Sequence, residues 1–245
     1  MFISKITASG NDFLITHMFL EADYSSLAKT LCDRNYGVGA DGFIVLLPSR
    51  ECDIKWLFYN SDGSSASMCG NGTRAAGYYA YENRLSPSKL SLETKAGVID
   101  IEVDKDSVKT AFTSPNLIND SVLEFDREWM LVDTGVPHLV CIDEELDSLD
   151  MASLRLLREK YNANVNVGRV DGEDIFIRTY ERGVEGETQA CGTGMAALFY
   201  LLSSKDKVGE SAIITPASGE KLQFISEKSK IFFKGNVRKV FDLAL

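Results

Sequence analysis

The chain has 245 residues, 44% hydrophobic, 25% charged and 10% aromatic, with a net charge of −10. That apolar share can bury a core, which excludes a disordered chain, and the length admits one large domain or two of about 120 residues each. The acidic balance excludes nucleic acid and anionic membrane as partners, since both need a basic face to neutralise phosphates; backbone N–H groups, which carry no formal charge, can still hold a small anion.

In chain order, apolar residues at helical spacing predict a first helix over Tyr24–Arg34, followed by β-branched and aromatic strands at Phe43–Leu47 and Ile54–Tyr59. A helix is expected over Gly72–Arg84, then strands at Ser91–Glu93 and Val98–Val103, and a boundary in the polar run Thr110–Asn119. Beyond it come strands Met130–Val132 and Leu139–Ile142, a helix over Ser148–Lys160, and a strand Ile175–Tyr180. A helix Gly194–Ser203 and strands Ala212–Thr215, Leu222–Ile225 and Ile231–Lys234 complete the pattern. Many strands with few helices predict an α+β fold rather than a doubly wound sheet.

The longest apolar run, Met195–Leu202, is far below the ~18 residues of a membrane span. The N-terminal Met-Phe-Ile-Ser-Lys-Ile-Thr has no basic region before an apolar one, so no signal peptide is expected. Five widely spaced cysteines, at 32, 52, 69, 141 and 191, argue against a disulfide framework and for a reducing, cytoplasmic setting. With no Cys-x-x-Cys and only His17 and His138 as histidines, no metal site is expected.

Two segments repeat. Cys69-Gly-Asn-Gly-Thr-Arg-Ala-Ala-Gly-Tyr78 aligns with Cys191-Gly-Thr-Gly-Met-Ala-Ala-Leu-Phe-Tyr200 at an offset of 122 residues, almost half the chain. Thr94-Lys-Ala-Gly97 and Thr215-Pro-Ala-Ser-Gly219 follow their cysteines by similar distances. Tyr59-Asn60 and Glu181-Arg182 precede them by similar distances, and Gly10-Asn-Asp-Phe13 pairs with Gly135-Val-Pro-His138 at offset 125. Chance matching among 19 glycines is the poorer reading of several pairs near one offset. Duplication into two similar domains is the better one.

Each repeated cysteine stands where a glycine-bracketed turn opens a helix. A helix N-terminus has unsatisfied N–H groups and a partial positive charge, which bind a carboxylate and lower a thiol pKa below its usual ~8.5. If the two halves face each other, a carboxylate held between the helix starts places its α-carbon between two sulfurs. One thiolate takes the α-proton, the other thiol delivers a proton to the opposite face, and the stereocentre inverts without a cofactor. Either cysteine alone would read as inert packing; the duplicated context favours the pair.

Gly10-Asn-Asp-Phe13, Gly39-Ala-Asp-Gly42, Asn60-Ser-Asp-Gly63, Met68-Cys-Gly-Asn-Gly72, Glu181-Arg-Gly183 and Ala190-Cys-Gly-Thr-Gly194, in this order, resemble the diaminopimelate epimerase family. The resemblance implies pyridoxal-independent interconversion of LL- and meso-diaminopimelate, for lysine and peptidoglycan precursors. It further implies two pseudo-symmetric domains, each a mixed sheet wrapped around a central helix, and a homodimer. The domains would span 1–112, joined by 236–245, and 113–235. Cys69 and Cys191 would be the acid/base groups, and Gly70, Asn71, Gly192 and Thr193 would present N–H groups to the reacting carboxylate. Asn11, Asn60, Asn164, Glu181 and Arg182 would bind the rest of the substrate, with Arg182 suited to a carboxylate by its forked guanidinium. His138 and Glu181 would tune the cysteines. Two departures stand out: Val136 replaces the family's usual Asn, and Glu181-Arg-Gly-Val-Glu-Gly-Glu-Thr188 has one residue more than the usual pattern. Asn164 and Asn166 compete for one role, and the family pattern favours Asn164.

Other signals point elsewhere. Gly37-Val-Gly-Ala-Asp-Gly42 matches a dinucleotide motif in letters, but a helix precedes it and a strand follows, the reverse of the required order. It reads as a turn, with Asp33 and Asp41 as turn residues. His138 with a cysteine could make a nucleophilic pair, which would leave the second Cys-Gly-x-Gly unexplained. Asn11, Asn60, Asn71, Asn164 and Asn166 could each be turn or capping residues. Epimerisation of another amino acid, such as proline or hydroxyproline, is an alternative that Val136 motivates. A non-catalytic amino-acid binder or thiol switch is another.

Overall fold

The computed structural model describes residues 1–112, 114–227 and 230–245. Thr113, where the sequence reading begins its second domain, lies outside them. The chain forms two compact units, Met1–Ala111 with Gly235–Leu245, and Phe112–Lys234.

The first unit runs β1 (Phe2–Ala8), β2 (Asn11–His17), α1 (Ser25–Cys32), β3 (Gly42–Leu47), β4 (Ile54–Asn60), α2 (Gly70–Glu82), β5 (Lys89–Thr94), β6 (Gly97–Asp104) and β7 (Ser107–Ala111). The second runs β8 (Asn116–Glu124), β9 (Arg127–Asp133), β10 (Pro137–Ile142), α3 (Met151–Tyr161), β11 (Asn164–Asp171), β12 (Asp174–Glu181), β13 (Gly186–Thr188), α4 (Gly192–Ser204), β14 (Ser211–Thr215) and β15 (Leu222–Glu227). β16 (Lys230–Ala244) starts in the second unit and ends in the first.

In the first unit β1 to β7 pair in sequence, β7 pairs β16, and β16 pairs back onto β1 from Phe2↔Ala244 to Ala8↔Val237. The sheet therefore closes on itself, leaving no edge open to another chain. α2 packs against six of its strands, β1, β2, β3, β5, β6 and β7. Every residue from Asn71 to Ala80 is buried, as a helix surrounded by sheet requires. α1 packs outside, on β3 and β4. Phe43, Val45 and Leu47 face α1 while Ile44 and Leu46 join the core around α2, so β3 is buried on both faces. That accounts for its unbroken apolar run.

The second unit repeats the arrangement of inner and outer helices on the sheet, though no pairing closes β8 back onto β16 among the described residues. Its strands pair in the order β16-β15-β14-β12-β11-β10-β9-β8, with β13 beside β12. Parallel pairs β2–β3 and β4–β5 have counterparts in β10–β11 and β12–β14, the two crossovers carrying the outer and inner helices in turn. α4 packs on β9, β10, β11, β12 and β14, and α3 on β11 and β12. Gly10 and Gly135 both turn through positive φ before β2 and β10, as expected of repeat partners.

All four expected helices form, but the inner two start at Gly70 and Gly192, two residues earlier than the sequence pattern indicates. The repeated glycines belong to the first helical turn rather than to a loop before it. β1, β2, β7, β8, β11 and β13 are additional to the expected strands.

Candidate active site

In the first unit Cys69 is the N-cap of α2, with extended backbone (φ −152°, ψ 115°), and its Sγ accepts the Gly72 N–H at 3.4 Å. The sulfur stands where a serine or aspartate oxygen commonly caps a helix. Gly70 and Asn71 occupy the first turn, whose N–H groups have no intrahelical acceptor. The buried Asn71 amide donates to Asn11 Oδ1 (2.8 Å) and accepts from Arg74 Nη2 (3.0 Å). Asn11 Nδ2 donates to Asp41 Oδ2 (2.9 Å), whose other oxygen accepts from Arg34 (2.8 Å).

Asp12, next along, accepts from Arg34 on both oxygens and pairs with Lys5 at 3.1 Å. Burial alone would raise its pKa; the Arg34 and Lys5 contacts outweigh burial and hold it below the usual carboxylate range. Asp41 does more than shape a turn, because it fixes the Asn11 amide. Asn60, exposed at the end of β4, donates to Ser64 Oγ at 2.9 Å.

In the second unit Cys191 is the N-cap of α4 (φ −125°, ψ 106°), 8% exposed, with Sγ 3.4 Å from Thr193 Oγ1. Gly192 and Thr193 form the first turn, anchored by Thr134 Oγ1 donating to the Thr193 carbonyl at 2.9 Å. Burial, and then the Glu181 carboxylate, push the Cys191 thiol up to about 12, overriding contacts with Thr193 and the Gly194 N–H that favour the thiolate. This corrects the sequence expectation of a lowered pKa at this helix start: the terminus acts as expected, but desolvation of the charged form is larger. Glu181 is itself raised by burial.

His138 on β10 is fully buried, and burial lowers its pKa to about 3, so the ring is neutral. It pairs in register with Asn164 on β11. Strand pleating puts Leu139 and Cys141, with Val165 and Val167, in the core under α3, and turns His138, Asn164 and Asn166 toward α4. Asn164 Oδ1 accepts the Arg182 N–H at 2.7 Å, and Arg182 Nη1 donates to the Asn162 carbonyl at 2.8 Å. The extra residue after Arg182 lies in the turn between β12 and β13, where Gly183 and Glu185 take positive φ and Glu185 Oε1 accepts the Gly183 N–H. The strand is not bulged, and Glu181 keeps its pairing with Gly186.

The expected residues thus fall into two groups: Asn11 and Asn71 at the Cys69 helix with Asn60 on the neighbouring strand, and His138, Asn164, Glu181, Arg182, Gly192 and Thr193 around the Cys191 helix. Sequence reasoning did not single out Arg74, Thr134 or Thr179. Arg74 lies at the fifth position of α2, and full burial of an arginine is visible only in the fold. Val136 has a structural counterpart in Asn11. Asn11 meets the Asn71 amide; Thr193 carries no amide in the equivalent place and is held by Thr134 instead. Among the described residues no helix is long and apolar enough to cross a membrane.

A family model described as "Diaminopimelate epimerase" matches residues 3–118 and 130–240. A diaminopimelate epimerase from a Nitratiruptor species is 50% identical over 243 residues, covering 99% of this chain and 97% of the relative. One from Campylobacter jejuni subsp. doylei is 48% identical over 240 residues, covering 97% and 96%. Among solved structures, a Bacillus anthracis phenazine biosynthesis protein of the PhzF family superposes with a TM-score of 0.73 at 17% identity, covering 99% of this chain and 98% of that one. At that identity the match speaks for the fold, an α+β arrangement of sheets around helices.

Proposed function

The chain belongs to the diaminopimelate epimerase family, and from that membership we propose that it interconverts LL- and meso-diaminopimelate by proton transfer through Cys69 and Cys191. The observation that supports this reading most is the pair of cysteine-capped helix starts, one in each unit, on a chain that matches its epimerase relatives nearly end to end.

Cys69 Sγ, stabilised by the Gly72 N–H, takes the α-proton as thiolate. Cys191, held protonated by burial and by Glu181, gives its proton to the opposite face of the carbon. The C–H electron pair passes into the carboxylate and returns to form the new C–H bond. The proton gained by Cys69 and the one lost by Cys191 balance, and reversal of the two charge states runs the reaction backwards. The N–H groups of Gly70, Asn71, Gly192 and Thr193 hold the carboxylate and stabilise the charge that develops on it. Asn11 has one N–H beyond that given to Asp41. With Asn60, Asn164, Glu181 and Arg182 it binds the distal amino-acid end. The reading includes a homodimer, which sedimentation velocity would test.

The decisive experiment follows the α-hydrogen by NMR in D₂O with LL-diaminopimelate and reduced protein. Deuterium should enter the α-position as the meso isomer appears. Folded, reduced protein that exchanges only proline or hydroxyproline would overturn the substrate assignment, and full turnover by Cys69→Ala or Cys191→Ala would overturn the two-sulfur mechanism.

A further inference from the structure

Asn166 is fully buried in β11, two residues beyond Asn164, and no role in catalysis follows for it from the proton transfers above. Its amide is nevertheless fixed on three sides. Nδ2 donates to the Leu139 carbonyl at 3.2 Å, Oδ1 accepts from Thr179 Oγ1 at 3.0 Å, and Nδ2 also meets His138 Nδ1 at 3.0 Å. A carbonyl only accepts, so the atom facing Leu139 must be the NH₂ nitrogen. Turning the amide over would set oxygen against oxygen there.

His138 has a second amide on its other side, with Asn164 Nδ2 at 3.4 Å from Nε2. This amide is fixed too, because its oxygen takes the Arg182 backbone N–H at 2.7 Å. Two NH₂ groups therefore approach the two nitrogens of one imidazole. A neutral ring has a single lone-pair acceptor, so one approach is a hydrogen bond and the other sets N–H beside N–H. The shorter contact, from the amide pinned by two further partners, is the bond. Nδ1 is the acceptor and Nε2 carries the proton.

We infer that Asn166 is a positioning residue that holds His138 as the Nε2–H tautomer, so that the lone pair on Nδ1 is engaged by the Asn166 amide and His138 does not act as a base in epimerisation. The functional half of this inference rests on the epimerase reading; the tautomer does not. Gly194 belongs to the same arrangement. A Cβ there would lie 2.3 Å from Asn166 Oδ1, so only glycine in the first turn of α4 leaves room for the amide beneath it. Arg182 is the charged group that bears on the ring, and it too opposes protonation.

The chain has two histidines, so two-bond ¹H–¹⁵N spectra of the labelled protein, with His17→Gln for assignment, report the ring without substrate. The expected result is unprotonated Nδ1 and protonated Nε2 in His138, unchanged between pH 8 and 5. A ring protonated on Nδ1, alone or on both nitrogens, overturns the inference. Asn166→Asp offers Nδ1 an acceptor and should move the proton to that nitrogen. It should also slow α-hydrogen exchange at least tenfold, mainly in kcat. An unchanged tautomer in this variant overturns the role of Asn166, and a changed tautomer with undiminished exchange overturns the link between tautomer and epimerisation. Should Asn166→Asp not fold, Asn166→Ala removes the donor without adding charge, and the Nδ1–H form should then appear. Wild-type protein with the Nε2–H ring but no exchange would refute the epimerase reading and leave the tautomer assignment standing.

Discussion

The first turns of α2 and α4 share a backbone plan and differ in what surrounds the sulfur. At α2 the cap is half-buried, and its neighbours form a polar ladder from Arg74 through Asn71 and Asn11 to Asp41 and Arg34, ending in charged groups at the surface. At α4 the cap is buried beside Glu181; Thr134 holds the first turn, Asn166 lies against Gly194, His138 sits between the Asn166 and Asn164 amides, and Arg182 is the cation nearby. The same backbone plan thus carries a half-buried sulfur at one helix start and, at the other, a buried one whose thiol desolvation pushes up. The proposed proton transfers call for two sulfurs in opposite protonation states, and unequal surroundings favour that, because identical ones would give them the same pKa.

The largest expected effect tests whether both sides are needed. Cys69→Ala and Cys191→Ala should each slow epimerisation ~10²–10⁴-fold, measured by circular dichroism of the product. A loss confined to one of them would mean the units are not partners in the reaction.

The paired glycines Gly72 and Gly194 probe the packing beneath each turn. Gly194→Ala drives a methyl onto the Asn166 amide and should cost about 1–3 kcal/mol, as overpacking does. Gly72→Ala meets Cys69, Trp56 and Ile44 carbons at 3.3–3.5 Å. There the helix propensity gained, up to ~1 kcal/mol, offsets a slight shift of neighbours. Urea denaturation that ranks the two variants in the opposite order would contradict the packing described at α4.

The pH response should separate the units further. His138 has its folded pKa lowered to about 3 from an ordinary value near 6.5. The unfolded chain therefore binds the extra proton first as pH falls. Stability from this group is complete above pH ~6.5 and erodes below it, by on the order of 1 kcal/mol for each further pH unit. Hydrogen exchange read by mass spectrometry should show second-unit peptides losing protection over that window. In the first unit Asp12, with its pKa lowered by Arg34 and Lys5, adds stability above the unfolded carboxylate pKa and loses it only in stronger acid.

The smallest effect concerns the surface end of the ladder. Arg34 is 57% exposed at its side chain, so Arg34→Ala should cost under ~1 kcal/mol, and less in high salt. A larger, salt-independent loss would mean that the ladder holds the Asn11 amide more tightly than solvent screening allows.

The sequence carried the duplication plainly, because motif spacing survives in the order of residues whatever the fold. Strands such as Phe43–Leu47 were legible because burial on both faces leaves an unbroken apolar run. β11 was not: Asn164, Asn166 and Gly168 occupy the face toward α4, where an apolar residue is the usual signal, so the segment looks like polar loop. The helix starts were displaced by two residues because cysteine is not a common cap, and only its sulfur's contact with the Gly72 N–H identifies Cys69 as one.

Residue order alone established the repeat, the α+β class, the family and the two cysteines as candidates. The state of the Cys191 thiol and the tautomer of His138 were decided only by the fold. Both depend on burial and on hydrogen-bond partners up to 28 residues away in the chain, brought together by β10, β11, β12 and α4. Desolvation and donor–acceptor matching are properties of neighbours in space, and a motif records only neighbours in sequence.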